Sequence, residues 1–485
     1  MNWARSYFLM VLLVAIGLIT LTVLTACLEP KVEYLLSVLY VLLITFIALV
    51  SDKLRLGAVL VLVLGAPPFV EYELAVVEVV SRRAVPGIRD TIAYPMFTII
   101  DAALILTLVV AAAKCSLQQR TDKLFRMWPL FAVGILQVIP ALVAVLRNLT
   151  TPYSGVALTG LSMTISILTV IALAACSLVA GATSKGTLVG LGCGTLLFCA
   201  ESFYVTWYKY GSISLGGTQF TGLIAGPGAT GSLLVLVIPS LFICALGSKG
   251  PLRIFMGFTA IIAFAYSILT YSRAVYLGLL VSFFVLSSAL KGKTRMHMVK
   301  ISLLAAMLVM LLVAYTSASL QQKFVSLYSE SLQSTFNLES RLVFWKHALW
   351  LIQSNPWFGI GPKMWVPNAP NLGWHVHQLY LQYAVEHGLI LFSFTTCILA
   401  TAVFGAFAHT RKLTEQGLRS FYLAIPAGIL GFLASQIFES NLGDWRIYTV
   451  FWSLMVVMLF RPTNSQDAVA KPAEQVATQA IAEVF

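Results

Sequence analysis

The residues able to do chemistry crowd into one short stretch, Trp374-His375-Val376-His377-Gln378-Leu379-Tyr380-Leu381-Gln382, followed by Glu386-His387-Gly388. A neutral imidazole near pH 7 can take a proton from a hydroxyl, which is the task of a general base in glycosyl or acyl transfer. His375 and His377 stand two residues apart. On a helix they would face apart, and in an extended chain they would share a side. The bland alternative is a pair of interfacial histidines that only hydrogen-bond loop carbonyls. A second candidate is Arg273, in Tyr271-Ser272-Arg273 between two apolar runs. A guanidinium at headgroup depth can bind a phosphate bidentately, although Arg at a helix end also serves as a snorkelling anchor. Further cations that could hold an anionic group are Arg82, Arg83, Arg89, Lys209, Arg341, Lys346 and Lys363. Asp101 and Glu201 fall inside apolar runs, where a carboxylate should be paired or face a cavity. Asp444 and Arg446 are close enough in sequence to pair.

The scaffold that must position these groups is hydrocarbon. Of 485 residues, 59% are hydrophobic and 10% charged, with a mean hydropathy of +0.89. Soluble domains carry about 25% charged residues, so the composition implies a polytopic membrane protein and an all-α helix bundle. The net charge of +12 is scattered through short loops and does not form a stripe, which argues against nucleic acid as a partner. The seven cysteines lie in or beside apolar runs without metal-ligand spacing, and no cofactor or metal is expected. Leu24-Thr25-Ala26-Cys27 looks like a lipoprotein cleavage box, but the run before it reads better as an uncleaved span.

Windows of roughly 17–25 apolar residues give about fourteen transmembrane helices. They lie near 7–27, 34–50, 55–71, 92–114, 128–147, 158–181, 186–208, 229–247, 251–270, 274–290, 297–317, 384–408, 420–439 and 446–460. With the N-terminus in the cytoplasm, the basic clusters at 114–126 and 291–300 fall inside, as the positive-inside rule requires. Residues 72–91, 209–228 and 318–383 then lie on the far side. The chain divides into an N-terminal transmembrane region (1–210), a transmembrane region with the Ser-Arg element (211–317), a far-side loop with a helix (318–383), a C-terminal transmembrane region (384–461) and a polar, disordered tail (462–485). Within the loop, Arg341, Trp345, Ala348 and Leu349 keep helical spacing, and Asn355-Pro356 ends that helix. Gly226-Pro227-Gly228-Ala229-Thr230-Gly231 lacks the Lys-Ser/Thr of a Walker loop.

Together these residues resemble the O-antigen ligase/polymerase family of bacterial membrane glycosyltransferases, whose helical architecture is called GT-C. The family pattern sets an Arg and a Trp on a helix, then a Pro and a Gly-x-Gly turn, then His-Asn-x-Tyr-Leu-Gln and Glu-x-Gly. Here it reads Arg341, Trp345, Pro356, Gly359 and Gly361, then His377-Gln378-Leu379-Tyr380-Leu381-Gln382 and Glu386-His387-Gly388. Thr270-Tyr271-Ser272-Arg273-Ala274 is similar to the family's Ser-Arg element, and Glu439-Ser440-Asn441-Leu442 to its last outer turn. Two positions depart. Gln378 replaces the usual Asn, and near 217–231 an expected Arg is missing, for which Lys209 is a substitute.

The resemblance implies transfer of a glycan from an undecaprenyl pyrophosphate donor to an acceptor hydroxyl. The reaction would be metal-independent and inverting, at the periplasmic face of the bacterial inner membrane. It assigns His377 as base, tuned by Glu386 or His375, with Arg273, Arg341 and Lys209 on the donor pyrophosphate. The acceptor would be the lipid A-core (a ligase), a growing lipid-linked glycan (a polymerase) or a protein (an oligosaccharyltransferase), with ligase placed first. The rival from another class is a polysaccharide transporter. Against it, no inverted hydropathy repeat is present and the polar residues gather in an outer loop, away from the midplane.

Overall fold

A computed structural model describes residues 30–66, 73–82, 89–117, 122–125, 127–210, 227–290, 292, 295–303, 307, 336–369, 375–410 and 416–460. Helices α1 (Pro30–Val50) and α2 (Arg55–Leu64) are followed by two strands, β1 (Glu73–Arg82) and β2 (Arg89–Thr98). Then come α3 (Ile99–Leu117), α4 (Asp122–Phe125), α5 (Trp128–Asn148), α6 (Ser154–Val179), α7 (Ser184–Tyr210), α8 (Pro227–Gly247), α9 (Pro251–Leu269) and α10 (Arg273–Ala289). The last group is α11 (Phe336–Ser354), α12 (Trp365–Asn368), α13 (Leu379–Thr410), α14 (Gln416–Ser435) and α15 (Trp445–Leu459). In lipid, backbone groups must be satisfied within the segment, and continuous apolar runs meet that demand only as helices.

The protein is a polytopic helical membrane protein. Among the described residues, seven helices are long and apolar enough to cross a bilayer, and five shorter apolar helices accompany them. The span near 7–27 and most of 297–317 lie outside the described residues, as do 318–335 and the tail. Two expectations need correction. The all-α reading misses an antiparallel hairpin, with Val77 opposite Tyr94 and Arg82 opposite Arg89. The run Val76-Val77-Glu78-Val79-Val80 is β-branched and suits a strand, and Pro95 is unfit for a helix interior. For the same reason the span read at 92–114 starts later, at Ile99, and runs to Leu117.

Helix α8 is the axis of the bundle, buried along almost its whole length. It packs against α9, α10 and α14, and a second group joins α3, α5 and α15 to α6. Small residues allow the closest approaches. A Cβ on Gly278 of α10 would sit 2.7 Å from the Gly431 carbonyl of α14, and one on Gly190 of α7 would sit 2.2 Å from that of Gly57 in α2. Such contacts replace a hydrophobic driving force that lipid does not supply.

The loops sort to two ends. At one, Lys114 Nζ bonds Asp52 Oδ1 at 2.7 Å, Arg55 pairs with the same carboxylate, and Thr183 donates its backbone N–H to the Lys53 carbonyl at 3.2 Å. At the other, residues 336–369 and 375–378 fold back over the bundle and build a second, smaller apolar core. That core includes Ala144, Val156, Leu351, Ile360, Trp365 and Val385. Lys53, Arg55, Lys114 and the 183–185 loop share an end, as the alternating topology demands.

Candidate functional site

The site rests on a backbone interlock. Helix α11 ends at Ser354, before Asn355-Pro356. The following turn bonds across to α13: Ile360 N–H to the Val385 carbonyl and Gly361 N–H to that of Glu386, both at 2.9 Å, and Leu389 N–H to the Pro356 carbonyl at 2.7 Å. Helix α13 breaks at Gly388, with φ 79° and ψ 165°. A Cβ there would lie 2.2 Å from the Trp357 carbonyl, and one on Gly359 (φ 65°) 2.4 Å from that of Val385. Only glycine combines positive φ with so close a backbone. The Gly-x-Gly and Glu-x-Gly elements of the sequence pattern are therefore two halves of one joint. Arg147 of α5 locks it further, donating from Nη1 to Asn355 Oδ1 and to the Gly359 carbonyl at 3.3 Å each.

Just before α13, the chain carries both histidines into one place. Their ring centroids are 4.0 Å apart, and His377 stacks on Phe344 of α11 at 6.0 Å. His377 has φ 56°, a left-handed backbone that a side-chain residue adopts at a cost of order 1–3 kcal/mol when its surroundings enforce it. The surroundings do. Gln382 Oε1 accepts from Val376 N–H at 2.8 Å, and Leu379 N–H bonds the Gln436 carbonyl at 3.1 Å. Gln378 caps the helix, accepting from Leu381 N–H through its side-chain oxygen. The residue that departs from the family pattern thus sets the start of α13, as N-cap residues do.

Glu439, beyond the end of α14, completes the cluster. One donor atom from each of His375, His377 and Glu439 falls within 4.8 Å of the others. The Glu439 carboxyl lies against Gly228 at the start of α8, where a Cβ would be 2.4 Å from Oε1. Arg341 donates from Nη1 to the Phe438 carbonyl at 3.3 Å, and its charge acts on both histidines and on Glu439. Burial, reinforced by Arg341, pulls His377 down to about 4. Burial, then His377, Lys363 and Arg341, take His375 to about 3. Both rings are neutral at pH 7 and offer lone pairs. Burial raises Glu439 above the ordinary carboxylate range, against the opposing pull of Arg341.

Beside the histidines lies a cavity of about 330 Å³. Lys363, His375, Gln382, Glu386, Asn441 and Asp444 are among its polar lining, with Trp365 and Trp452 among its apolar walls. Lys363 Nζ bonds the Gly443 carbonyl at 3.2 Å. Glu386 accepts from Gln382 Nε2, so the carboxylate reaches the histidine segment through the Gln382–Val376 link.

Of the residues singled out from sequence, His375 and His377 meet directly, the charge of Arg341 acts on both, and Glu386 joins them through Gln382. Arg273 opens α10 at its exposed first residue and is not part of the cavity wall. It is nevertheless close by. Gly231 of α8 faces Thr270 and Val275, while Gly228 faces Glu439, and three residues of helix rise about 4.5 Å. Lys209 lies in the last turn of α7, and its side chain falls outside the described residues. Asp444 caps α15, accepting from Arg446 N–H at 2.9 Å, and Arg446 reaches the Ala66 carbonyl. The sequence-based site left out Glu439 and Gln382, and named Lys363 only among several possible anion-holding cations. Glu439 stood in a recognised turn, but only the folded chain brings that turn to the histidines.

Residues 258–396 match the family model Wzy_C, described as O-antigen ligase. This region is similar to the O-antigen ligase family. The matched region contains Arg273, Arg341, His375, His377 and Glu386, while Glu439 lies beyond its end. The match supports ligase- or polymerase-type function in general, in a multi-pass membrane protein with glycan substrates. No curated protein sequence matches the chain.

Proposed function

We propose that the protein is an O-antigen ligase-like GT-C glycosyltransferase of the bacterial inner membrane. It moves a glycan from undecaprenyl pyrophosphate to an acceptor hydroxyl at the periplasmic face, in a bundle of about fourteen spans with residues 318–383 as its outer loop. The observation that carries this reading is the cluster of two neutral imidazoles with Arg341 and Glu439, beside a cavity that His375 lines, with both imidazoles and Arg341 inside the family-matched region.

His377 accepts the proton of the acceptor hydroxyl as its oxygen attacks the anomeric carbon, and a single displacement inverts that centre. The leaving diphosphate needs fixed positive charge, which Arg341 and Arg273 supply, with Lys209 as a further contact. Preorganised charge of this kind is commonly worth 10²- to 10³-fold in rate. Burial is the main cause that depresses His377, and an anionic diphosphate beside Arg341 would offset only the smaller contribution of that charge. Glu386 orients the histidine segment through Gln382.

The test is complementation of a deletion strain with His377→Ala beside wild type, reading surface polysaccharide on a gel with membrane levels matched. Loss of product is expected, and retained product would overturn the assignment. The banding of the deletion strain names the acceptor. Complete loss of O-chain means ligase, a single repeat means polymerase, and a shifted protein band means oligosaccharyltransferase.

A further inference from the structure

We propose that His375, His377 and Glu439 form a binding site for one divalent ion of the zinc class, and that occupancy of this site switches transfer off. Two imidazoles and a carboxylate are the donor set that imidazole-preferring ions select, and three protein ligands leave a coordination position open. In a tetrahedral site with bonds of roughly 2.0–2.1 Å, donor atoms lie roughly 3.4 Å apart. Here one atom from each residue already falls within 4.8 Å of the others. Small side-chain rotations close that gap, with no backbone rearrangement required.

The backbone is built to keep the donors together. His377 holds a left-handed conformation, Val376 between the two histidines is tied to Gln382, and Leu379 is tied to Gln436, just after α14 and three residues before Glu439. Phe344 stacks on the His377 ring and limits its rotation. Arg341 stands nearby and weakens any cation, so micromolar affinity is expected, well short of a structural zinc site. An imidazole nitrogen bonded to an ion has no lone pair left for an acceptor proton. The inhibitory consequence therefore rests on the base role proposed for His377; the binding itself does not.

The experiment uses the purified full chain in lipid nanodiscs, stripped with chelator and titrated with ZnCl2 against a chromophoric zinc chelator. One ion per chain is expected at micromolar concentration. His375→Gln and Glu439→Gln should each weaken binding roughly tenfold or more, the scale on which altered coordination shells act. Lys346→Ala, on the exposed face of α11, should bind as wild type does. MgCl2 should not compete, because magnesium demands oxygen ligands. Thermal unfolding confirms that each variant is folded, and the two ligand variants check one another if one fails. No saturable binding, or equal binding by both ligand variants, would overturn the site. In membranes, micromolar ZnCl2 should block glycan transfer and EDTA should restore it. If binding is seen but zinc leaves transfer intact, the switch is wrong. If zinc-free membranes show no transfer at all, the functional reading fails while the binding result still judges the site.

Discussion

At one end of the bundle the charged side chains pair with one another, and at the other, among the described residues, Arg341 and Lys363 stand unpaired with acids near a cavity that Lys363 lines. Asp52 accepts from both Lys114 and Arg55, and Arg55 also gives its Nε hydrogen to the Ala48 carbonyl at 3.0 Å. That cluster ties α1, α2 and α3 into a closed corner. At the opposite end, the Arg341 and Lys363 side chains bond the carbonyl oxygens of Phe438 and Gly443, while the Lys363 backbone N–H reaches the Glu386 carboxylate. Their charge is left to act on His375, His377 and Glu386. A polar group retained for stability is neutralised on the spot. Lys363, His375 and Glu386 instead face a cavity.

The sharpest way to break this comparison is to exchange the outcomes of two substitutions. His377→Ala should lower transfer at least 10²-fold, the scale of a lost general base, with normal membrane levels. Asp52→Asn should do the reverse, reducing the amount of folded protein and leaving transfer per molecule unchanged. Activity normalised to immunoblot signal decides. Asp52→Asn losing specific activity, or His377→Ala losing protein, would erase the distinction. Arg341→Gln should come next, with a fall of roughly 10²-fold under the proposal that its charge faces a leaving diphosphate. Gly388→Ala tests the joint beneath the site. The new methyl group meets the Trp357 carbonyl at positive φ, so both stability and transfer should fall. The strain is of order 1–3 kcal/mol, measurable as a lower melting temperature.

How much of this was written in the sequence differs between spans and site. Runs such as 128–147, 186–208 and 229–247 coincide with α5, α7 and α8 within a few residues, because bilayer-length apolar stretches admit little besides a helix. The hairpin at 73–98 escaped because its valines lie in a segment that hydropathy reads as a loop leading into a span. Arg341, His375 and His377 were legible as residue types at a motif's spacing. The partnership with Glu439 was not, since it depends on how the turn after α14 seats against Gly228. Nor was the capping role of Gln378, or the fact that Asp444 serves the backbone of α15, which are properties of local geometry and not of residue type.

The smallest effect concerns acid. Burial pushes Asp52 upward, but hydrogen bonds from Lys114 and Arg55 outweigh it, and its carboxyl is lowered from 3.8. A depressed folded value contributes stability that is present above the unfolded pKa and lost as pH falls through the folded one. The stability difference between wild type and Asp52→Asn should therefore hold steady from neutral pH to about pH 5 and shrink below about pH 4. Asp52 is partly exposed, at 36% in its ion pair with Arg55, so the change is small and should diminish further in high salt. Melting curves of both proteins across this pH range measure it. A difference undiminished at pH 3 would mean that the shape of the Asp52 side chain, and not its charge, closes that corner of the bundle.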